Sequence, residues 1–235
     1  MTKNVTSRSA RNRRAGANKS NNIGIWIVGI AAVIVLAVVL IVAFSNRPSS
    51  IAVAAPDVQA DWVNGDVMGD PNAPVTIEAW EDFLCPACRQ WTTTVEPQIV
   101  EQYIKTGQVK LEFRQFPLSS HAPGSTMSAM ASLCALDQGA FWTYHNRLFL
   151  AQDEGQAGYT IDALVRYADE LGLDSRALLE CMSSQKYRDA VTASANEAVS
   201  RGYGATPTIV VNGEPMANPY DMNELTALVN AGLGN

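Results

Sequence analysis

Four cysteines in a chain of 235 residues set the chemistry to consider: Cys85, Cys88, Cys134 and Cys181. The first two stand in "EDFLCPACRQW", separated by Pro86 and Ala87. A pair at this spacing can hold half of a zinc site, close an inert loop, or exchange electrons with other thiols. Zinc usually takes four ligands, often as two close pairs. Cys134 and Cys181 are far apart in sequence, and the only histidines, His121 and His145, stand at no ligand spacing to either. His145 lies in "FWTYHNRLF", where a helix face among aromatics points to packing. From these spacings we expect neither a metal nor a cofactor.

Thiol exchange requires one sulfur to be a stabilised anion. "APVTIEAWEDF" alternates with period two, placing Val75, Ile77 and Ala79 on one face of a strand that stops just before Cys85. Pro86 suits the first position of a helix, where its missing N–H costs nothing. Cys85 therefore falls where a strand gives way to a helix. The unpaired N–H groups of the first turn and the helix dipole both favour a thiolate there. Cys88, one turn further in, is expected to be more buried and to attack a mixed disulfide formed at Cys85.

The elements that position this pair follow from periodicity. The helix continues to about Lys105 through Trp91, Val95, Ile99 and Tyr103, with a kink expected at Pro97. Gly107 ends it and "QVKLEFRQFPL" supplies a second strand, so strand–helix–strand makes a parallel βαβ unit. From about Gly124 to Gly202 the pattern is almost wholly helical. "TPTIVVNGEPM" then reads as two strands around a turn at Asn212-Gly213. A last amphipathic helix has Asp221 as its N-cap. The order β-α-β, helical block, β-β-α is an α/β core with a helical insertion.

The flanking sequence bears on compartment. Residues 1–22 carry six Lys/Arg and no acidic residue, and Ile23 to Phe44 carry no charge at all. A run of this length spans roughly 30 Å, about the hydrocarbon core of a bilayer. The basic flank belongs on the cytoplasmic side. A cleaved signal peptide would have a shorter apolar core, about 7–15 residues. We therefore read 1–22 as a cytoplasmic tail, 23–44 as a transmembrane helix, 45–73 as a linker, and 74–235 as one extracytoplasmic domain with its helical insertion at about 122–202. Beyond Ser45 eleven Lys/Arg face all 23 Asp/Glu, a formal charge of −12. Such a surface repels phosphate backbones and argues against nucleic-acid binding. Outside the cytoplasm disulfides persist. Four cysteines allow three pairings; a reversible 85–88 bond leaves 134–181 as the other.

"FLCPAC" after a strand, "ASLCALDQGAFWTYHNRLF" in the helical block and "GATPTIVVNG" near the end resemble the DsbA-like thiol–disulfide oxidoreductases, over about residues 74–235. The resemblance implies a thioredoxin-like fold with a helical insertion. It makes Cys85 the exposed attacking cysteine, Cys88 the resolving one, and Pro207 a cis-proline facing them, with the Thr206 backbone turned toward a bound peptide. It also implies that Cys134 and Cys181 form a second, structural bond. That bond would close a loop of about 48 residues, worth roughly 4 kcal/mol in the chain-entropy model; a second redox relay is the competing role. Relatives often keep an acid beneath the pair as a proton acceptor, and here Glu78, Glu81 and Asp82 compete for that part. Well-known oxidising members have a histidine at the position of Ala87, so a milder oxidant is expected.

The function this implies is introduction of disulfides into newly exported, unfolded cysteine-containing proteins. A quinone-linked membrane partner of the DsbB or vitamin K epoxide reductase type would reoxidise the pair. Trp80, Phe83, Leu84 and Tyr203 are candidates for a sticky surface that meets unfolded chains, or for core. A reductase or isomerase of the same fold, and a non-catalytic tethered chaperone or accessory domain, are the alternatives.

Overall fold

The computed structural model describes residues 56–234 and the single residue Ile30. The basic tail, the apolar run and the first part of the linker lie outside the described residues. Among the described residues no helix is long and apolar enough to cross a membrane.

Six strands form one sheet: β1 (Val63–Asn64), β2 (Val67–Met68), β3 (Val75–Glu81), β4 (Val109–Gln115), β5 (Thr208–Val211) and β6 (Glu214–Pro215), in the order β1-β2-β4-β3-β5-β6. β3 and β4 run parallel, with Ile77 opposite Leu111, and every other pairing is antiparallel. The alternation read in β3 sends Val75, Ile77 and Ala79 into the main core. Trp80 turns to the other face, where it packs with Phe116, Ala198 and Val210 in a smaller cluster. Arg114 and Arg201 lie over the Trp80 ring at 4.7 and 5.4 Å, covering its apolar face with guanidinium planes.

Between β3 and β4 run α1 (Pro86–Thr94) and a second helical stretch, α2 (Glu96–Ile99), which continues in wider π-type turns over Val100–Ile104. The kink expected at Pro97 is a break at Val95. Pro97 occupies the start of α2, where a proline has no N–H to lose.

The insertion holds α3 (Gly124–Leu136), α4 (Phe141–Leu150), α5 (Ile161–Glu170), α6 (Ser175–Ser183) and α7 (Arg188–Ser200). Two 3-10 turns broken at Gly155, within Ala151–Tyr159, link α4 to α5. α3 is buried on nearly every side, which its small residues allow. Two of its buried hydroxyls are paired: Ser128 donates to the Ser125 carbonyl, and Ser132 donates to the Ala129 carbonyl while accepting from Gln115. Cys134 of α3 is bonded to Cys181 of α6, with Cα atoms 5.9 Å apart, as the resemblance implied. The last helix, α8 (Met222–Leu233), is capped as expected: the Asp221 carboxylate accepts from the N–H groups of Asn223 and Glu224.

One boundary needs correction. Composition assigned residues 45–73 to a linker, yet Val63–Met68 form a hairpin whose β2 pairs with β4. Gly69 lets the chain leave that hairpin across the neighbouring strand. A Cβ there would sit 2.6 Å from the Val109 carbonyl oxygen, and the residue holds φ at +129°.

Candidate active site

β3 delivers the chain to Cys85, which is the N-cap of α1 with extended backbone angles. Cys85 and Cys88 are both free thiols. Cys85 is 7% exposed and Cys88 0%, so the attacking cysteine expected to be open meets solvent through a narrow window only. Across from the pair the Thr206-Pro207 bond is cis, as expected. Ala122-Pro123 is cis as well, which nothing in the sequence signalled. The Cys85 sulfur lies 3.4 Å from the Thr206 carbonyl oxygen. A carbonyl accepts from a neutral thiol only, so stabilisation of the anion comes from donors elsewhere.

Such donors bring the Cys85 thiol down to about 5, the Cys88 thiol contributing most, the Thr206 side chain next, and the N–H groups of Cys88 and Ala87 after it, all against the cost of burial. The helix N-terminus is thus a secondary source, and the neighbouring thiol is the principal one. Cys88 is pushed strongly upward by burial first, then by the Cys85 sulfur and the Glu81 carboxyl. One sulfur is held as an anion and the other as a neutral thiol. That is the division thiol exchange needs.

The three candidate acids separate cleanly. Glu78 is on the opposite face of β3, bound to the Trp80 indole and ion-paired to Arg201 at 3.0 Å, so it has no place under the pair. Asp82 is buried with both oxygens committed. One accepts from the Leu84 N–H; the other accepts from the Leu118 N–H and meets His121 Nδ1 at 2.7 Å. Asp82 shapes the loop, and its own N–H points at Cys88 Sγ from 3.5 Å. Glu81 is buried, interacts with Cys88 and Cys85, and is raised well above the usual carboxyl range by burial first and by Glu96 second. It is the acid positioned against the resolving thiol.

Several contacts had no sequence signature. Gln152 Nε2 donates to the carbonyls of Phe83 and Cys85, and Arg89 grips Asp153 through both terminal nitrogens. The Tyr159 hydroxyl lies 3.0 Å from the Phe83 carbonyl oxygen, and the Tyr220 hydroxyl donates to the Ala87 carbonyl. The segment after α4 therefore holds the redox loop from one side, and Tyr220, which precedes the N-cap of α8, holds it from the other. Trp80, Phe83 and Leu84, weighed as a sticky surface, are core.

Beneath Glu81 lie Glu96 and His145. Their ligand-type atoms and those of Glu81 are all within 4.8 Å of one another. Burial lifts Glu96 to about 8 and brings His145 down to about 4. A carboxyl raised on folding binds its proton more tightly in the native state. Its stabilisation is full below the unfolded value of 4.5 and is lost as pH rises through about 8. Glu96→Gln is therefore expected to be less destabilised by alkali than the parent. Its melting temperature relative to the parent should climb across that window and stay level below it; a difference independent of pH would refute the assignment.

Comparison with known proteins agrees with this geometry. A family model described as thioredoxin matches residues 62–231. The probable disulfide bond formation protein D of Bacillus anthracis is 28% identical over 155 residues, which cover 65% of this chain and 71% of that protein. The crystal structure of oxidised BdbD from Bacillus subtilis superposes with a TM-score of 0.65 at 26% identity, covering 73% of this chain and 94% of that one. The Na(+)/H(+) antiporter NhaA 3 of Salinispora tropica is 33% identical over 163 residues, but the chain spans only 24% of its length. The chain belongs to the thioredoxin family, as a DsbA-like thiol–disulfide oxidoreductase.

Proposed function

We propose that the protein is an extracytoplasmic, membrane-tethered thiol oxidase that introduces disulfides into newly exported proteins. The observation that carries this reading is the split between the two thiols, Cys85 brought to about 5 and Cys88 driven upward. Stabilising the reduced form as an anion makes the 85–88 disulfide the more ready oxidant, and a stable thiolate leaves readily. This favours oxidation over the reductase or isomerase alternative.

A substrate thiolate attacks Cys85 of the oxidised pair, and the Cys85–Cys88 bond breaks with its electron pair on Cys88. Glu81, raised well above the usual carboxyl range by burial and interacting with Cys88, is the acid beside that leaving sulfur and exchanges a proton with it. A second substrate thiolate then attacks the substrate sulfur of the mixed disulfide, and Cys85 departs as the thiolate. Two electrons pass to the enzyme and one disulfide forms in the substrate. The Thr206 backbone, beside Cys85 across the cis bond, is placed to pair with an extended peptide by strand addition. Return of the pair to its oxidised form falls to a quinone-linked membrane partner of the DsbB or vitamin K epoxide reductase type, which the span at 23–44 would keep within reach.

Incubating the oxidised protein with a reduced, unfolded disulfide protein is expected to produce disulfides stoichiometrically. Cys85→Ser should be inert, and Cys88→Ser, offered the same protein with its disulfides intact, should accumulate a mixed disulfide at Cys85 as one substrate sulfur leaves as the thiolate. Oxidation that persists in Cys85→Ser would end the proposal. A reduction potential below that of cytosolic thioredoxin would reverse the direction, since about 30 mV corresponds to about 1.4 kcal/mol for this couple. Full cellular function with both cysteines replaced would favour the chaperone alternative.

A further inference from the structure

We propose that Glu81, Glu96 and His145 form a binding site for one divalent transition-metal ion, with Zn2+ as the expected occupant. The three come from separate elements: the end of β3, the start of α2 and the middle of α4. Each presents a buried atom with no hydrogen-bond partner among the described residues: Glu81 Oε1, Glu96 Oε2 and His145 Nε2. These residues offer ligand atoms within 4.8 Å of one another, yet none bonds to another. Bonds of about 2.0–2.2 Å to a tetrahedral ion put such atoms roughly 3.3–3.6 Å apart, a contraction that modest side-chain rotation supplies.

The tautomer of His145 is already the ligating one. Its Nδ1 lies 2.9 Å from Asn146 Oδ1, and an amide oxygen only accepts. Nδ1 therefore carries the hydrogen and Nε2 presents its lone pair, the arrangement that commonly orients a metal-bound imidazole. Phe149, Phe113 and Trp142 surround the ring at 4.9, 5.1 and 5.2 Å, so the locality is dry. Two carboxylates in such a place are costly unless protons or a cation neutralise them, so an ion binds in exchange for those protons, and Glu81 serves Cys88 only while the site is empty. One nitrogen and two anionic oxygens suit zinc and similar borderline ions. They do not suit calcium, which takes six to eight oxygens.

The test uses the full chain in its oxidised state, so that the Cys85–Cys88 disulfide removes both sulfurs as ligands, after treatment with a chelator. Zn2+ is titrated by calorimetry, Co2+ by visible absorption, and Ca2+ serves as the hard-cation control. One Zn2+ should bind per chain, Co2+ should develop d–d bands, and Ca2+ should not compete. Glu96→Gln and His145→Gln should each weaken Zn2+ binding by at least about tenfold, the scale of losses seen even for outer-shell partners. Glu78→Gln, on the far face of β3, should leave it unchanged. Should His145→Gln fail to fold, Glu96→Gln alone decides, with circular dichroism confirming its fold. Absence of binding to the oxidised protein would overturn the site and leave the three groups as a proton-sharing cluster. Equal binding by Glu96→Gln would overturn it too, as adventitious binding to the acidic surface.

Discussion

Reduced protein taken from neutral pH into acid is expected to lose its thiolate absorbance with a midpoint near pH 5, the value at which Cys85 is held. Cys88, driven upward and 0% exposed, should add nothing to that curve. In the unfolded chain both thiols titrate near 9.0. Cys85 has its pKa depressed by folding. Its contribution to the stability of the reduced form is complete above the unfolded value and is lost as pH falls through about 5. The oxidised form has no such group, so the stability gap between the two forms should follow the same curve. Iodoacetamide at neutral pH should modify Cys85 alone, as mass spectrometry of the trapped protein can show. Because the Cys88 thiol is the largest stabiliser, Cys88→Ala should move the midpoint upward while Cys88→Ser, which keeps a donor, should move it less. A midpoint close to that of an ordinary thiol would remove the basis for the proposed oxidase.

Removing the second disulfide should be nearly as consequential for the fold. Cys134 and Cys181 are 47 residues apart in sequence, and the bond ties α3 to α6. Cross-linking a loop of that length restricts the unfolded chain by roughly 4 kcal/mol. The double replacement Cys134→Ala/Cys181→Ala is expected to lose about that much unfolding free energy in urea, which for a chain of this size lowers the melting temperature by about 8–16 °C. Thiol oxidation at a temperature where the variant is still folded should survive. If instead activity disappears while circular dichroism is unchanged, the pair is a relay. A loss below about 1 kcal/mol would show that the unfolded chain is not the state the bond restrains.

The redox pair could be read directly because it rests on local geometry. Cys85 must follow a strand and precede Pro86, and that succession is written in consecutive residues. Pro207 ahead of "TIVVNG" was legible through the family resemblance alone, since "TPT" by itself reads as a strand start; its bond is cis. Residues 63–68 were not, because strands of two residues are too short to show an alternation. They are strands only through the open edge that β4 offers to β2. Pro97 was expected to bend one helix; the chain instead ends one and begins another there, since a new N-terminus satisfies a proline better than a bend.

The choice among Glu78, Glu81 and Asp82 shows where local reading stops. All three are acids within five consecutive residues, and composition cannot rank them. The sheet does so by sending Glu78 to one face and Glu81 to the other, while the turn before α1 engages one oxygen of Asp82 and the segment after β4 engages the other. Glu96, His145, Gln152 and Tyr159 were out of reach for the same reason, since their roles arise from distant segments brought together. The order of residues along the chain determined the redox pair, its helix and the compartment expected of it. Packing alone determined the ionisation of the two sulfurs and the acid beside them, because burial and contact are properties of neighbours in space.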